Sequence, residues 1–385
     1  MTARTGKRIL LAAGGTGGHL FPAQALAHEL LARGDDPVLV TDARGGGFGP
    51  ELSARVPTHR IAAAGLIRRS PLHKTIAAAK LGLGYIQARW LVRRLRPDAV
   101  AGFGSYAALP TVLAGAHAGA RIVLHEQNAV AGRANRVLAR RAHAIATGFP
   151  EAGGLSAKAR RRAVVTGNPV RAEIAALGSQ PYAVPNETGP LRLLVTGGSQ
   201  GARGFDEVVP KAVAQLPRAV RTRLHVAQQV REDATDTVRA HYAGTEVAAL
   251  EPRPFFDDMP ERLRSAHLVI ARAGASTVSE LAAAGRPAIL VPYPFAADDH
   301  QTVNAEAMVV AGAAWILPQA TLTAELLAER LGALFDAPEQ LAHAARAARA
   351  ACKPDSARRL AELLTGEAPD GTGTRPDTPD AEAAA

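Results

Sequence analysis

His19 stands directly behind four glycines, in the run Gly14-Gly15-Thr16-Gly17-Gly18-His19. Without Cβ atoms such a loop lets backbone N–H groups close on an anion, and a helix starting there adds its positive end. Histidine, with an ordinary pKa of about 6.5, is suited to take up and hand on a proton near neutrality. A second cluster, His125-Glu126-Gln127-Asn128, sets four polar groups in succession at the end of an apolar run. Packing alone does not ask for that, although Asn128 by itself would serve as the cap of a helix starting near Ala131. Gly102-Phe103-Gly104-Ser105-Tyr106 is another glycine loop after an apolar run, and Arg171 follows Gly167-Asn168-Pro169-Val170.

The later half offers its own candidates. Thr277-Val278-Ser279-Glu280 has two readings. It matches a capping box, or it is a helix start that holds a diphosphate while Glu280 takes two vicinal ribose hydroxyls. Asp298 and Asp299 read as helix caps, which leaves His300 and Gln301 for sugar hydroxyls. No Asp-x-Asp run marks a clear metal-binding loop, so a catalytic metal is not required. The single Cys352 excludes an intrachain disulfide and a cysteine-built zinc site.

These groups need elements to position them. Ile9-Leu10-Leu11-Ala12 feeds the first glycine loop, and a helix from Pro22 to Gly34 is expected behind it, with Pro22 at its first position and Gly34 as its stop. Further strand-like runs lie at Val38–Thr41, Ala99–Phe103, Arg121–His125, Ala144–Thr147 and Val164–Thr166. The second half repeats the pattern at Leu191–Thr196, Arg223–Ala227, Leu268–Ala271, Ala288–Val291 and Ala314–Leu317. Short apolar strands alternating with helices predict α/β architecture, with parallel sheets covered on both faces.

A second glycine loop, Gly197-Gly198-Ser199-Gln200-Gly201, lies 183 positions after the first, about one domain length. The chain is therefore read as two Rossmann-like domains, residues 1–170 and 191–352, joined by a linker at 171–190 rich in proline and glycine. Open α/β sheets bind ligands at the carboxyl ends of their strands, so two such faces turned together make a cleft for a two-part substrate. A helix at about 353–364 is expected just before a tail, 366–385, whose composition predicts disorder.

Charge is unevenly spread. Residues 1–170 hold 24 Lys/Arg against 8 Asp/Glu, whereas the remainder holds 21 against 27. Such a basic field implies a polyanionic partner, unless it only reflects a compositional preference for Arg on solvated faces. Within residues 65–96, Leu66, Ile67, Ile76, Leu81, Leu83, Ile86, Trp90 and others interleave with Arg68, Arg69, Lys74, Lys80, Arg89, Arg93 and Arg94. That is the pattern of a monotopic membrane contact, or of an amphipathic helix whose wet side carries Arg. No apolar run reaches the length of about 20 residues that a membrane span needs. No signal peptide is evident, so a cytosolic location is expected.

Seven stretches, in order, resemble the MurG family of GT-B-fold glycosyltransferases. They are residues 14–19, 125–132, 167–171, 197–203, Phe255-Phe256-Asp257-Asp258-Met259, Thr277–Glu280 and His300-Gln301 with Asn304-Ala305. The resemblance implies a GT-B fold of two doubly wound, parallel-sheet domains facing across a cleft, with the helix at 353–364 packed back on the first. It implies inverting transfer of N-acetylglucosamine from UDP-N-acetylglucosamine to the C4 hydroxyl of lipid I, giving lipid II for peptidoglycan, without a cofactor. The implied partners are the UDP-sugar, lipid I, the anionic cytoplasmic face of the bacterial membrane, to which the enzyme binds peripherally, and other cell-wall synthesis proteins, with no nucleic acid.

Carried onto this sequence, His19 is the candidate base, with Glu126 proposed nearby. Phe255 and Phe256 would border the uracil, Glu280 the ribose, and Ser199 with Arg272, Gly274, Ser276 and Thr277 the phosphates. His300 and Gln301 would contact the sugar, and Thr16, Gly17, Gly18, Asn128 and Arg171 would reach the donor from the opposite side. Gly14, Gly15, Gly104, Ser105 and Tyr106 would hold the acceptor diphosphate. Two positions depart from the family pattern: Ser105 stands where glycine is usual, and His300 where glutamine is. The rival readings are a dinucleotide oxidoreductase, a basic nucleic-acid binder and a natural-product sugar transferase of the same fold. The first wants Gly-x-Gly-x-x-Gly with an acid about 20 residues on, whereas Asp42 comes later. The second wants more aromatics among the cations. The stretches at 14–19 and 125–128 argue against the third.

Overall fold

A computed structural model of the chain describes residues 6–15, 17–43, 47–64, 71–198 and 202–367. Two parallel sheets carry it. The first contains β1 (Arg8–Ala12), β2 (Asp36–Thr41), β3 (Thr58–Arg60), β4 (Ala99–Gly102), β5 (Arg121–Glu126), β6 (Ala144–Thr147) and β7 (Ala163–Val165), in the order β3-β2-β1-β4-β5-β6-β7. The second contains β8 (Leu191–Thr196), β9 (Leu224–Gln229), β10 (Ala249–Arg253), β11 (Leu268–Ala271), β12 (Ala288–Leu290) and β13 (Ala314–Ile316), in the order β10-β9-β8-β11-β12-β13. In each sheet the order reverses beside the first strand, where a crevice opens at the strand ends. Two such sheets facing across a cleft are the GT-B arrangement expected from the sequence.

The central strands are buried on both faces, so they are apolar without alternation: Ile9, Leu10, Leu11 and Ala12 are fully buried, as are Val269 and Ile289. The two strands that the apolar runs do not announce, β3 and β10, are edges. They read Thr58-His59-Arg60 and Ala249-Leu250-Glu251-Pro252-Arg253, polar and proline-bearing as edge strands are.

The first helix runs Gly17–Ala32, so it begins inside the glycine loop and not at Pro22, which lies within it. Gly34, at φ +82°, ends the turn that follows. Pro22 has no N–H to give the carbonyl of Gly18, four residues earlier. That oxygen accepts instead from Ser276 Oγ of the other lobe, at 3.3 Å. The misplaced start thus has a tertiary cause.

The chain crosses between lobes twice. Residues 166–171 lead out of the first lobe, where Ile174 and Leu177 then bury themselves in the second. Cys352–Asp355 leads back into the helix Ser356–Thr365, which seats Leu360, Ala361, Leu363 and Leu364 on Ile9, Leu11, Leu26 and Leu30. Arg33 pairs with Glu362 and Glu367, and Arg121 Nε donates to Leu363 O at 2.7 Å. The two crossings touch at Gly167, whose φ of +80° and contact with Lys353 and Ser356 leave no room for a side chain. Gly366 closes the last helix at φ +77°, and the tail from 368 on lies outside the described residues.

Candidate functional site

Between the lobes lies a cleft of about 920 Å³, within the range of a small-molecule site. Gly17, Gly18, His19, Phe21, Gln127, Asn128 and Arg171 line it from one side. Thr196, Gly197, Gly198, Phe255, Phe256, Arg272, Gly274, Ser276, Thr277, Glu280, His300 and Gln301 line it from the other. Thr16 and Ser199 lie outside the described residues. Four arginines, Arg171, Arg203, Arg231 and Arg272, face one carboxylate, Glu280, among the described lining residues. Two helices, Gly17–Ala32 and Ala275–Ala284, also turn their N-terminal positive ends to it. Such a cavity favours an anion.

His19 sits where the glycine loops of the first lobe meet. A Cβ on Gly104 would lie 3.5 Å from its ring, and one on Gly14 would meet Ser105 Oγ first and then the His19 ring. Its Nδ1 lies 2.7 Å from Phe103 O and 3.4 Å from Gln127 Nε2; the shorter contact is to a carbonyl, which can only accept, and it favours the tautomer with the proton on Nδ1 and the basic lone pair on Nε2. Gly104 and Ser105 both have positive φ, +78° and +60°. That conformation suits glycine and strains serine, which explains why the departure at Ser105 is unusual. Ser105 Oγ accepts from Ala107 N–H at 3.2 Å at the start of the helix Ser105–His117, and its O–H remains a donor. Gly15 precedes the helix start, and Tyr106 is partly exposed beside Ser105.

Glu126 is not presented to the cleft. It is buried, and its carboxylate accepts from four donors: Asn128 N–H at 3.0 Å and Nδ2 at 3.4 Å, Gly132 N–H at 2.8 Å and Asn135 Nδ2 at 2.9 Å. With both oxygens occupied it organises the 128–135 loop. Glu126, expected beside the candidate base, is therefore not among the residues that line the cleft. Nor does Asn128 cap a helix: the helix Arg133–Leu138 has Gly132 at its cap, and Asn128 Oδ1 accepts from Asn304 Nδ2 at 3.2 Å.

In the second lobe the capping-box reading fails. The helix Ala275–Ala284 takes Gly274 as its cap and has no side-chain cap bond. Glu280 lies in its second turn and is gripped by Arg171, whose Nε donates to Oε1 at 2.9 Å. Burial raises the Glu280 pKa, and the Arg171 guanidinium opposes the rise. Arg171 also lies over the Phe21 ring at 4.7 Å.

Arg272 is buried between the rings of Phe205 (4.9 Å) and Tyr293 (5.6 Å). It donates to Val291 O, Pro292 O and Gln319 Oε1, and burial lowers its pKa. It therefore fixes the strand end with its donors, while its charge still reaches the cleft. Gln301 Oε1 accepts from Tyr293 N–H at 2.9 Å, and His300 Nδ1 lies 2.7 Å from Ala297 O. Phe256 is buried under the Arg262 guanidinium, whereas Phe255 is 69% exposed at the mouth. Asp299 occupies the cap position of the helix His300–Val310, but its carboxylate accepts from Thr302 Oγ1 and not from a backbone N–H, while Asp298 pairs with Arg133 and Arg136 of the first lobe. Phe21, Tyr293, Phe295 and Gln319 line the cleft without having been singled out by sequence. An aromatic two residues past His19 was the one local signal available.

The glycosyltransferase family 28 N-terminal domain matches residues 9–147, and the family 28 C-terminal domain matches residues 192–360. A UDP-N-acetylglucosamine--N-acetylmuramyl-(pentapeptide) pyrophosphoryl-undecaprenol N-acetylglucosamine transferase from Rhodospirillum centenum is 55% identical, over 97% of this chain and 97% of its own. A protein of the same name from Paramagnetospirillum magneticum is 52% identical, over 95% and 98%. The crystal structure of Acinetobacter baumannii MurG superposes with a TM-score of 0.74 at 33% identity, covering 94% of this chain and 99% of that one. The chain belongs to the MurG family. Its MurG-type lobes carry one further surface outside the cleft. Along the helix Pro71–Leu95, Ile76, Leu83, Ile86 and Trp90 fall at helical spacing and are 47–66% exposed. The opposite face, with Ala77, Ala88, Leu91 and Val92, is buried. The helix is therefore apolar on its buried face and also carries apolar side chains among cations on its outward face, where Arg94 stacks over Trp90 at 5.3 Å. Residues 65–70 lie outside the described residues, and no described helix is long and apolar enough to cross a membrane.

Proposed function

We propose that this MurG-family chain transfers N-acetylglucosamine from UDP-N-acetylglucosamine to the C4 hydroxyl of lipid I, with inversion at the sugar C1, to make lipid II. The observation that carries this reading is a cationic cleft with His19, its Nδ1 turned to the Phe103 carbonyl, on one wall and Glu280, held by Arg171, on the other. His19 Nε2 takes the proton from the acceptor hydroxyl as it attacks C1, and UDP departs from the opposite face. The leaving diphosphate gains negative charge, which Arg171, Arg272 and the two helix N-termini stabilise as it forms. Glu280 exchanges its bond with Arg171 for the two ribose hydroxyls, releasing Arg171 toward the diphosphate. Phe255 and Phe256 enclose the uracil, with Ser199, Ser276 and Thr277 at the phosphates. His300, Gln301, Asn128 and Thr16 complete the donor site. The loops at Gly14-Gly15 and Gly104-Ser105-Tyr106 take the acceptor diphosphate.

The acceptor is anchored in lipid, and the outward stripe of the helix Pro71–Leu95 gives the protein a way to reach it. Apolar side chains ringed by Lys74, Lys80, Arg89, Arg93 and Arg94 suit the anionic cytoplasmic face of the membrane, each cation adding about 1 kcal/mol there. The function is tested by measuring UDP release from UDP-N-acetylglucosamine with and without a muramyl-diphospho-lipid acceptor. Acceptor-dependent release is expected, and release indifferent to the acceptor contradicts the reading. Replacing Ile86 and Trp90 by serine should weaken binding to anionic vesicles while sparing turnover on a soluble acceptor. Unchanged vesicle binding removes this face from the role.

A further inference from the structure

One short stretch of the donor lobe both faces the cleft and grips the acceptor lobe. His300 and Gln301 open the helix His300–Val310 and line the cleft. Asn304, one turn on, has its side chain fully buried between the lobes. Its Oδ1 accepts from Ala129 N–H at 2.8 Å, and its Nδ2 donates to Asn128 Oδ1 at 3.2 Å and to Ala273 O at 3.1 Å. Every polar atom of Asn304 is thus engaged by protein. Just before His300, Asp298 holds a left-handed backbone, φ +53°, beside Asp299 at +50°. Non-glycine residues avoid that conformation. Here the Asp298 carboxylate is held across the gap by Arg136 at 2.9 Å and Arg133 at 3.4 Å.

Both contacts land on one segment of the acceptor lobe, residues 128–136, and Glu126 organises that segment. Its carboxylate fixes Asn128, itself a contact of Asn304, and Gly132 and Asn135, which lie between that contact and Arg136. The two candidate sugar contacts are therefore bracketed, fore and aft, by bonds to a loop that starts at the end of the strand next to the one carrying the His19 partner Phe103.

We propose that Asn304 and Asp298 form an interlobe clasp, seated on Glu126, that sets the donor sugar at the correct height over His19. The proposal rests on the reading of the cleft as the UDP-sugar site, and it makes these three residues positioning residues for transfer. The clasp acts on the sugar end of the donor and not on its nucleotide, so it should govern turnover while leaving the affinity for UDP alone untouched. A misplacement of about 1 Å is enough to cost roughly 100-fold in rate.

Full-length Asn304→Ala and Asp298→Asn are compared with the wild type for kcat and KM in transfer to a muramyl-diphospho-lipid acceptor, and for UDP affinity by calorimetry. Asn304→Ala should lower kcat roughly 10- to 100-fold. Asp298→Asn, at a more exposed pair, should lower it a few-fold. UDP affinity should hold in both, and the double variant should lose less than the product of the single effects, since the two share one closure. A wild-type kcat in Asn304→Ala overturns the clasp. So does a loss of UDP affinity that matches the loss of kcat in both variants. The surface site Asp298 keeps the test open should Asn304→Ala fold poorly, because a wild-type kcat there, with independent effects or none, also counts against it. A wild-type protein that does not bind UDP would overturn the reading of the cleft, and with it the clasp's role in setting the sugar, whereas the outcomes above sink the clasp while UDP binding holds.

Discussion

Two helices meet start to start across the cleft, Gly17–Ala32 from the acceptor lobe and Ala275–Ala284 from the donor lobe, joined by the bond from Ser276 Oγ to Gly18 O. Each follows the carboxyl end of a strand in the middle of its sheet, β1 in one and β11 in the other. The backbone construction is the same, and both positive helix ends point at the same space. The side chains differ. The acceptor helix places a histidine in its first turn, with its Nδ1 turned to a carbonyl. The donor helix places a carboxylate in its second turn, held by an arginine of the other lobe. On the proposed reading, the same α/β unit thus supplies a base on one wall and a hydroxyl acceptor on the other. The fold provides the anion site twice, and single residues divide the labour.

That division can be broken at several points. The largest effect is expected from His19→Ala, which should lower kcat at least about 100-fold, as the loss of a general base does. Near-wild-type turnover would pass the role of base to another group. Next comes Glu280→Ala. Hydrogen bonds to a charged group contribute about 1.5–3 kcal/mol, so KM for the UDP-sugar should rise roughly 10- to 100-fold. An unchanged KM would make Glu280 only a partner for Arg171. The smallest effect belongs to the contact between the two helix starts. Ser276→Ala removes one neutral hydrogen bond, about 1 kcal/mol, and should cost a few-fold in kcat/KM. A loss as large as that of Glu280→Ala would mean that Ser276 binds phosphate more than it joins the lobes.

The comparison also shows what local sequence can carry. Strands buried on both faces advertise themselves, and the runs at Ala144–Thr147, Leu191–Thr196 and Leu268–Ala271 stand where they were expected, to the residue. Edge strands such as Thr58–Arg60 do not, because half their surface is wet and their composition is that of a loop. Pro22 suggested a helix start, because a proline inside a helix normally strands a carbonyl. Here a hydroxyl about 250 residues later serves that carbonyl, and no local pattern reveals it. Thr277 and Glu280 have capping-box spacing, yet the helix begins at Ala275, so Glu280 is left for Arg171. Glu126 was legible as a polar residue at a strand end, but its work depends on four donors spread over 128–135. Residue types pointed to the right segments. Which member of each segment faces the cleft was decided by contacts distant in sequence.

The most direct test is a paired titration of UDP-N-acetylglucosamine into wild type, His19→Ala and Glu280→Ala. If one wall binds the donor and the other supplies the base, His19→Ala keeps the wild-type Kd and Glu280→Ala weakens it. A Kd that weakens in His19→Ala and holds in Glu280→Ala would contradict the division on which the account stands.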